Sequence, residues 1–228
     1  MKNKIYSQFI AASIIILLIG ASVIAGIKWE KGSVEASEAA GDCYENIIAI
    51  TFDDGPGYKT TAKLLDGLAE RNVKATFFLI GNKVEQNKEI VERMYNEGHL
   101  IGNHTYSHVD LACVGNSSAL QEIQKTNELI KSITGEDVKY IRPPFGKYND
   151  RLIYNVNMTP VLWSVDPDDW KTTDVSHVVE LVVNNAGCGD IILLHDIYDS
   201  SVTAALEIID RLQAKGFVFV TVDQLLLD

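Results

Sequence analysis

Residues 51–56 place two adjacent carboxylates, Asp53 and Asp54, directly before a Gly-Pro pair that turns the chain. Neighbouring carboxylates can divide the work of a hydrolytic site, one as a metal ligand and the other as a base that the metal charge keeps ionised. The same residues also favour a tight turn, in which Asp side chains accept hydrogen bonds from backbone N–H groups. Taken alone, this segment supports both interpretations equally.

Two of the five histidines of the chain, His104 and His108, lie four positions apart. We expect this spacing to bring both rings to one face of a helical turn, where they could share a transition metal. Such pairs also arise by chance on helices. Two imidazoles and the carboxylate of Asp54 would leave coordination positions open, as a catalytic metal requires, and Zn²⁺ is the default choice for these ligands.

Strand-like and helix-like runs alternate from residue 47 to the C-terminus. The β-rich runs predict strands at residues 47–52, 75–80, 99–103, 139–142, 160–165, 190–194 and 217–220. Amphipathic spacing predicts helices at residues 59–71, 84–96, 118–133, 175–185 and 202–215. This order is typical of an α/β fold with a parallel sheet, either open or closed into a barrel.

Polar residues directly follow most of the predicted strands. They are Asp53 and Asp54, Asn103 and His104, Arg142, Asp166, and His195 and Asp196. In a barrel the carboxyl ends of the strands form one mouth, which is the usual place of an active site on that architecture. We therefore expect these residues to converge, although they are far apart in the sequence.

Residues 51–56 and 104–108 together resemble the polysaccharide deacetylases of carbohydrate esterase family 4, which carry T-F-D-D-G-P followed by H-[ST]-x-x-H. Residues 142–146 (RPPFG), 166–170 (DPDDW) and 193–195 (LLH) are similar to the remaining signatures of that family, in the same order. The resemblance implies an incomplete seven-stranded (β/α) barrel. It also implies metal-dependent removal of acetyl groups from an N-acetylated sugar.

The resemblance assigns a role to each matching residue. Asp54, His104 and His108 would hold a divalent metal, Zn²⁺ by default with Co²⁺, Ni²⁺ or Mn²⁺ as alternatives. Asp53 would be the general base, and Arg142 would orient it through a charge-assisted contact.

The other matching residues would complete the reaction centre. His195 would protonate the departing nitrogen, with the negative charge of Asp166 raising its basicity. The backbone N–H of Phe145 would help to stabilise the oxyanion, and Trp170 and Leu193 would wall the pocket for the acetyl methyl group.

Each of these residues also has a purely structural interpretation. Arg142 could be a surface cation, Trp170 and Leu193 ordinary core, and Asp168 or Asp169 solvated turn residues. Four other polar residues fit none of the shared motifs and are interpreted as structural or surface positions: His99, His177, Asp196 and Asp199. We read Cys43, Cys113 and Cys188 as small buried hydrophobes in preference to a disulfide pair, which stays open for an exported protein.

The N-terminus is predicted to direct export. Residues 1–8 form a short cytoplasmic tail, the apolar run 9–27 is a signal anchor or a cleaved signal peptide, and its length favours the anchor. Residues 28–42 are predicted to be a linker, and the resemblance assigns residues 43–228 to a polysaccharide deacetylase domain. The expected location is outside the cell, on the membrane or secreted.

The partners follow from this location and from the charge. A net charge of −11 without a basic cluster argues against nucleic acid. The expected partners are the membrane and an acetylated glycan, with peptidoglycan N-acetylglucosamine or N-acetylmuramic acid favoured because an exported enzyme meets the cell wall first. Chitin oligosaccharides, O-acetylated xylan and an inactive glycan-binding role are the alternatives.

Overall fold

The structure is a computed structural model, and it describes residues 46–148 and 156–226. The predicted tail, apolar run and linker therefore lie outside the described residues, as does Cys43. Within the described ranges, no helix is both long enough and apolar enough to cross a membrane.

One parallel sheet forms the centre of the described chain. Its seven strands are β1 (Ile47–Asp53), β2 (Thr76–Leu79), β3 (Leu100–Asn103), β4 (Tyr140–Ile141), β5 (Thr159–Pro160), β6 (Ile191–His195) and β7 (Val218–Phe219). Each overlaps a strand predicted from the sequence. The fifth shares only Pro160 with the predicted residues 160–165, although Val165 still makes an isolated parallel bridge to Ile192.

The helices connect the strands. They are α1 (Thr60–Glu70), α2 (Gly81–Gln86), α3 (Lys88–Asn96), α4 (Asn116–Thr134), α5 (Val175–Asn185), α6 (Asp199–Ala214) and a short α7 (Val222–Leu225). The prediction of a single helix at residues 84–96 is wrong. Asn87 has non-helical backbone angles and its side chain donates to the carbonyls of Lys83 and Pro56, which ends α2 and starts α3.

The strand order β5-β4-β3-β2-β1-β6, with β7 paired to the start of β1, makes the sheet curl. Chain following β5 returns to β6, where Ser164 N–H and Val165 N–H donate to the carbonyl of Ile191. The sheet is therefore an incomplete (β/α) barrel, and the predicted fold class is confirmed.

Alternation along the strands decides which side chains face the barrel interior. In β1, Ile48, Ile50 and Phe52 pack outwards in the main hydrophobic core beneath the helices. Ala49 belongs instead to a small inner cluster with Phe78, Val161 and Val222, the last of these at the start of α7. Asp53 has the same parity as Ala49, so the pleat directs its carboxylate into the barrel.

The cysteines differ from the expectation. Cys113 is exposed and free, and Cys188 is exposed and disulfide-bonded. The interpretation as small buried hydrophobes is therefore wrong for both described cysteines.

Candidate active site

The adjacent carboxylates at the end of β1 have different partners because the backbone changes direction between them. Asp53 completes the strand and is 3% exposed, whereas Asp54 has a left-handed φ of 70°. Asp53 Oδ1 lies 2.9 Å from Arg142 Nη1, while Asp54 Oδ1 lies 3.4 Å from His104 Nε2 and 3.3 Å from His108 Nε2. Asp54 thus meets both imidazoles, whereas Asp53 pairs with the guanidinium and lies farther from His104, with its Oδ2 3.8 Å from Nε2.

The turn after Asp54 is tightly supported. Lys83 Nζ donates to the Asp54 carbonyl at 2.7 Å, and Ile80 N–H donates to the Gly55 carbonyl at 3.0 Å. A Cβ on Gly55 would lie 2.4 Å from both carboxylate oxygens of Asp196, so only glycine fits there. Asp196 is fully buried, burial raises its pKa to about 7, and it accepts a hydrogen bond from Thr61.

The segment with the two histidines is a loop and not the predicted helical turn. Thr105 and His108 have left-handed φ values of 62° and 57°, which no α-helix contains. The rings nevertheless lie close together, with centroids 4.9 Å apart. The side chains converge as predicted, but loop geometry brings them together and helical periodicity does not.

His104 is held in one tautomer by the backbone. Its Nδ1 lies 2.5 Å from the carbonyl oxygen of Arg142, which can only accept, so Nδ1 carries the proton and donates it. The lone pair of Nε2 is consequently available on the side that faces Asp54. A ring nitrogen oriented by a carbonyl in this way is the usual arrangement of a metal-ligating histidine.

The three side chains fit a divalent cation. Ligand atoms of Asp54, His104 and His108 all lie within 4.8 Å of one another. Asp54 Oδ1 is buried and has no hydrogen-bond partner among the described residues, which is costly unless a cation satisfies it. Burial alone would raise the pKa of Asp54, but the neighbouring imidazoles of His104, His108 and His195 lower it to about 2. Burial lowers the pKa of His108, which favours the neutral, metal-ligating form of the ring.

Arg142 is fully buried inside the barrel, so it is not a surface cation. Its guanidinium donates to Asp53 and to the hydroxyl of Thr51 from Nη1, and to the carbonyls of Val161 and Leu162 from Nε and Nη2. Its Cζ lies 4.3 Å from the centroid of the Phe78 ring. These contacts fix the guanidinium, and through it the carboxylate of Asp53.

The partner of His195 is Asp169 and not Asp166. His195 Nδ1 donates to Asp169 Oδ1 at 2.7 Å, and His195 N–H donates to Asp169 Oδ2 at 2.9 Å. Asp169 is 1% exposed, so the interpretation as a solvated turn residue is also wrong for it. Asp166 is exposed and instead accepts a hydrogen bond from Asp168 N–H.

Asp169 determines the protonation of His195. Burial alone would lower the pKa of the imidazole, but the hydrogen bond and charge of Asp169, assisted by Asp53 and Asp54, raise it to about 9. Because Asp169 holds Nδ1–H, the proton on Nε2 is the one available for transfer. His195 is therefore protonated and oriented at neutral pH.

A cavity of about 320 Å³ at the carboxyl ends of the strands is lined by nine of the ten residues to which the resemblance assigns a role. Those lining it are Asp53, Asp54, His104, His108, Phe145, Asp166, Trp170, Leu193 and His195. Arg142 lies beneath, in contact with Asp53. The cavity is also lined by Trp163 and Tyr198, which lie outside the signatures, and by Asp168, which lies within one but has no assigned role.

The three predicted substrate-binding residues differ in exposure. Leu193 is 4% exposed, Trp170 is 51% exposed and Phe145 is 60% exposed. Trp170 is thus not ordinary core. Phe145 has a left-handed φ of 61° and its ring meets the His108 ring edge-on at 4.9 Å, so the mouth of the cavity has an aromatic rim.

Comparison with known proteins identifies the family of the chain. Residues 40–161 match the family model described as polysaccharide deacetylase. The peptidoglycan-N-acetylmuramic acid deacetylase PdaC of Bacillus subtilis is 43% identical over 184 residues, which cover 81% of this chain and 39% of PdaC. A solved structure of that protein has a TM-score of 0.78, with 80% of this chain and 91% of that chain covered.

Two further relatives differ from PdaC in the substrate that they are named for. A peptidoglycan-N-acetylglucosamine deacetylase of Bacillus cereus is 42% identical over 76% of this chain and 66% of its own length. A chitooligosaccharide deacetylase of Rhizobium leguminosarum is 37% identical over 81% of this chain and 93% of its own. The chain thus spans less than two thirds of the length of both peptidoglycan deacetylases.

Proposed function

Because the chain belongs to the polysaccharide deacetylase family, we propose that it is a metal-dependent hydrolase that removes N-acetyl groups from an acetylated glycan. One observation carries the proposal. The cluster of Asp54, His104 and His108 lines a cavity. Asp53 and His195 line the same cavity, and each is held by a buried partner, Arg142 for Asp53 and Asp169 for His195. Metal-assisted amide hydrolysis needs a general base, a general acid and a Lewis acid around one carbonyl, and this arrangement supplies the base, the acid and the residues that would hold the metal.

The metal is proposed to be Zn²⁺, with Co²⁺, Ni²⁺ or Mn²⁺ as alternatives. Two imidazoles and one carboxylate suit a transition metal and leave coordination positions open. The unpartnered oxygen of Asp54 and the fixed tautomer of His104 support the assignment. A cation held there supplies a Lewis acid, which lowers the pKa of a water molecule and polarises the acetyl carbonyl.

The protein side chains then move the protons. Asp53, held by Arg142 through Oδ1, accepts the proton of the attacking water. His195 donates its Nε2 proton to the amide nitrogen as the C–N bond breaks, which releases acetate and leaves a free amine on the sugar. Asp169 keeps Nδ1–H in place during this transfer, so the imidazole presents Nε2 to the leaving group.

The acetyl group itself is proposed to bind against Leu193 and Trp170, both of which line the cavity. Leu193 is an inward-facing residue of β6, two positions before His195, so the methyl pocket and the proton donor have a common strand. The backbone N–H of Phe145 is proposed to stabilise the oxyanion. A role for Asp166, which lines the same cavity, is retained only as an electrostatic one, since its side chain does not pair with His195.

The proposed substrate is peptidoglycan, at N-acetylglucosamine or N-acetylmuramic acid. Two of the relatives named above are peptidoglycan deacetylases, and the cavity opens among exposed aromatic rings that can stack on sugar faces. The relative from Rhizobium leguminosarum makes a chitin oligosaccharide the second candidate. Action on the cell wall requires export, which we assign to residues 1–27, as a membrane anchor or a cleaved signal peptide.

The test is acetate release by the purified full chain from three substrates: peptidoglycan glycan strands, N-acetylglucosamine oligomers and O-acetylated xylan. We expect release from an N-acetylated glycan, loss of release in a chelator and recovery on addition of Zn²⁺. Release that is unaffected by the chelator would refute the metal assignment. Release from xylan alone would identify an esterase, and no release from any substrate would favour the glycan-binding alternative.

A further inference from the structure

Glu122 on α4 holds the loop between the two metal-site histidines. Its Oε2 accepts hydrogen bonds from the backbone N–H groups of Tyr106 at 3.0 Å and Ser107 at 2.7 Å. Its Oε1 accepts from the hydroxyl of Ser107 at 2.7 Å. One carboxylate thus satisfies three donors on two consecutive residues, although it is not itself one of the lining residues of the cavity.

The opposite side of the loop is held by β3 and by the start of α2. The carbonyls of Thr105 and Tyr106 accept from the N–H groups of Gly81 at 2.9 Å and Asn82 at 3.0 Å, and Thr105 N–H donates to Asn103 Oδ1 at 2.7 Å. A Cβ on Gly81 would lie 3.1 Å from the Cα of Tyr106, so the loop packs directly on the backbone of α2. The backbone N–H groups of Tyr106 and Ser107, which face α4, therefore depend on Glu122 for a hydrogen-bond acceptor.

This support matters because the loop conformation is intrinsically unfavourable. Thr105 and His108 both have left-handed φ values, in which the Cβ of an ordinary residue crowds the following carbonyl oxygen. His104 has its own anchor in the carbonyl of Arg142, and its side chain is 3% exposed. The side chain of His108 is 30% exposed, so its position depends more on the backbone that precedes it.

We propose that Glu122 is a positioning residue for the metal, because it fixes the backbone of Tyr106 and Ser107 and with it the place of His108 relative to His104 and Asp54. The inference rests on the metal-dependent function proposed above. It adds a requirement that the five sequence signatures do not contain: a carboxylate on the following helix that does not touch the metal.

The test compares Glu122→Ala and Glu122→Gln with Glu128→Ala, which removes an exposed carboxylate from the same helix. Zn²⁺ affinity is measured on the full chain by competition with a chromogenic chelator, and Co²⁺ coordination by its visible absorption spectrum. We expect Glu122→Ala to bind Zn²⁺ about 10-fold more weakly, as for loss of a partner outside the ligand set, and to alter the Co²⁺ spectrum. Glu122→Gln should lose less Zn²⁺ affinity, because its amide oxygen still accepts a hydrogen bond. Glu128→Ala should have the same Zn²⁺ affinity and Co²⁺ spectrum as the parent.

The readouts separate this inference from the proposed function. Metal binding and acetate release by the parent test the function, whereas the ratio of variant to parent affinity tests Glu122. Parent-like affinity and an unchanged Co²⁺ spectrum in Glu122→Ala would overturn the inference, even if its melting temperature fell. If that variant does not fold, Glu122→Gln, which leaves a single accepting oxygen for the three donors, should still weaken Zn²⁺ binding, and parent-like affinity there would overturn the inference equally.

Discussion

The metal-binding half of the cavity and its proton-transfer half are built on different principles. Asp54, His104 and His108 lie on two loops whose left-handed residues bring the three side chains together. Asp53 and His195 instead end neighbouring parallel strands, in direct register with each other across β1 and β6. The metal-binding half therefore depends on strained loops that other segments must hold in place, whereas the proton-transfer half depends on the sheet.

The supports differ in the same way. Asp53 and His195 are each fixed by an oppositely charged side chain, Arg142 and Asp169, that is essentially inaccessible to water. Such pairs are expensive to break, because the partner that remains is a buried and uncompensated charge. The histidine loop is supported by many neutral and charged hydrogen bonds to its backbone. Substitutions in the two halves should therefore have distinguishable signatures.

Asp54→Asn should have the largest effect on the metal-binding half. It removes the negative charge from the cluster, so Zn²⁺ affinity should fall by more than the roughly 10- to 100-fold expected for an outer-shell partner. Acetate release should fall with it. Chelator competition and an acetate assay measure the two quantities, and Asp137→Asn, an exposed carboxylate elsewhere, should leave both unchanged.

Asp169→Asn tests the proton-transfer half against the assignment made from sequence. Without the charge of Asp169 the pKa of His195 falls, so the alkaline limb of the pH–rate profile should move to lower pH. The turnover number should fall by about 100-fold, within the contribution of a positioned proton donor. Zn²⁺ affinity should stay near that of the parent.

Asp166→Asn is the matched control for that substitution, three positions away in the same segment. It should change turnover only a few-fold and leave the alkaline limb in place. Equal shifts of the pH profile in the two variants would contradict the pairing of His195 with Asp169.

The smallest predicted effect is on stability. The folded protein raises the pKa of His195 from 6.5 to about 9. The stabilisation from its protonated form is therefore complete below pH 6.5 and is lost as the pH rises through about 9. Urea unfolding in the presence of a chelator should show the parent losing stability relative to His195→Asn over this interval. A difference that stays constant or grows with pH would contradict the predicted protonation.

Much of the fold followed from the sequence because strand alternation and helical periodicity are local. The seven strands, the parallel order and the convergence of polar strand ends were all predictable. The break at Asn87 was not, since the carbonyl of Pro56 that its side chain contacts belongs to a distant turn. The four-residue spacing of the histidines predicts a helical turn, which is wrong because the spacing does not encode the left-handed backbone angles of Thr105 and His108.

The candidate site was also predictable only in part. The residues in the signatures could be named, but the partner of His195 could not, because residues 166–170 offer carboxylates at 166, 168 and 169 and the sequence alone does not say which one is buried. Glu122, Trp163 and Tyr198 lie outside every signature, and only the tertiary structure brings them to the loop or the cavity.

The most direct test of the account is Asp53→Asn, with Zn²⁺ binding and acetate release measured on the same preparation. Asp53 should be required for proton transfer and dispensable for the metal, since Asp54 and the two histidines form the ligand cluster without it. We expect Zn²⁺ affinity close to that of the parent and acetate release lower by about 10²- to 10⁴-fold. Parent-like acetate release, or loss of Zn²⁺ together with activity, would contradict the division of roles between the two adjacent carboxylates.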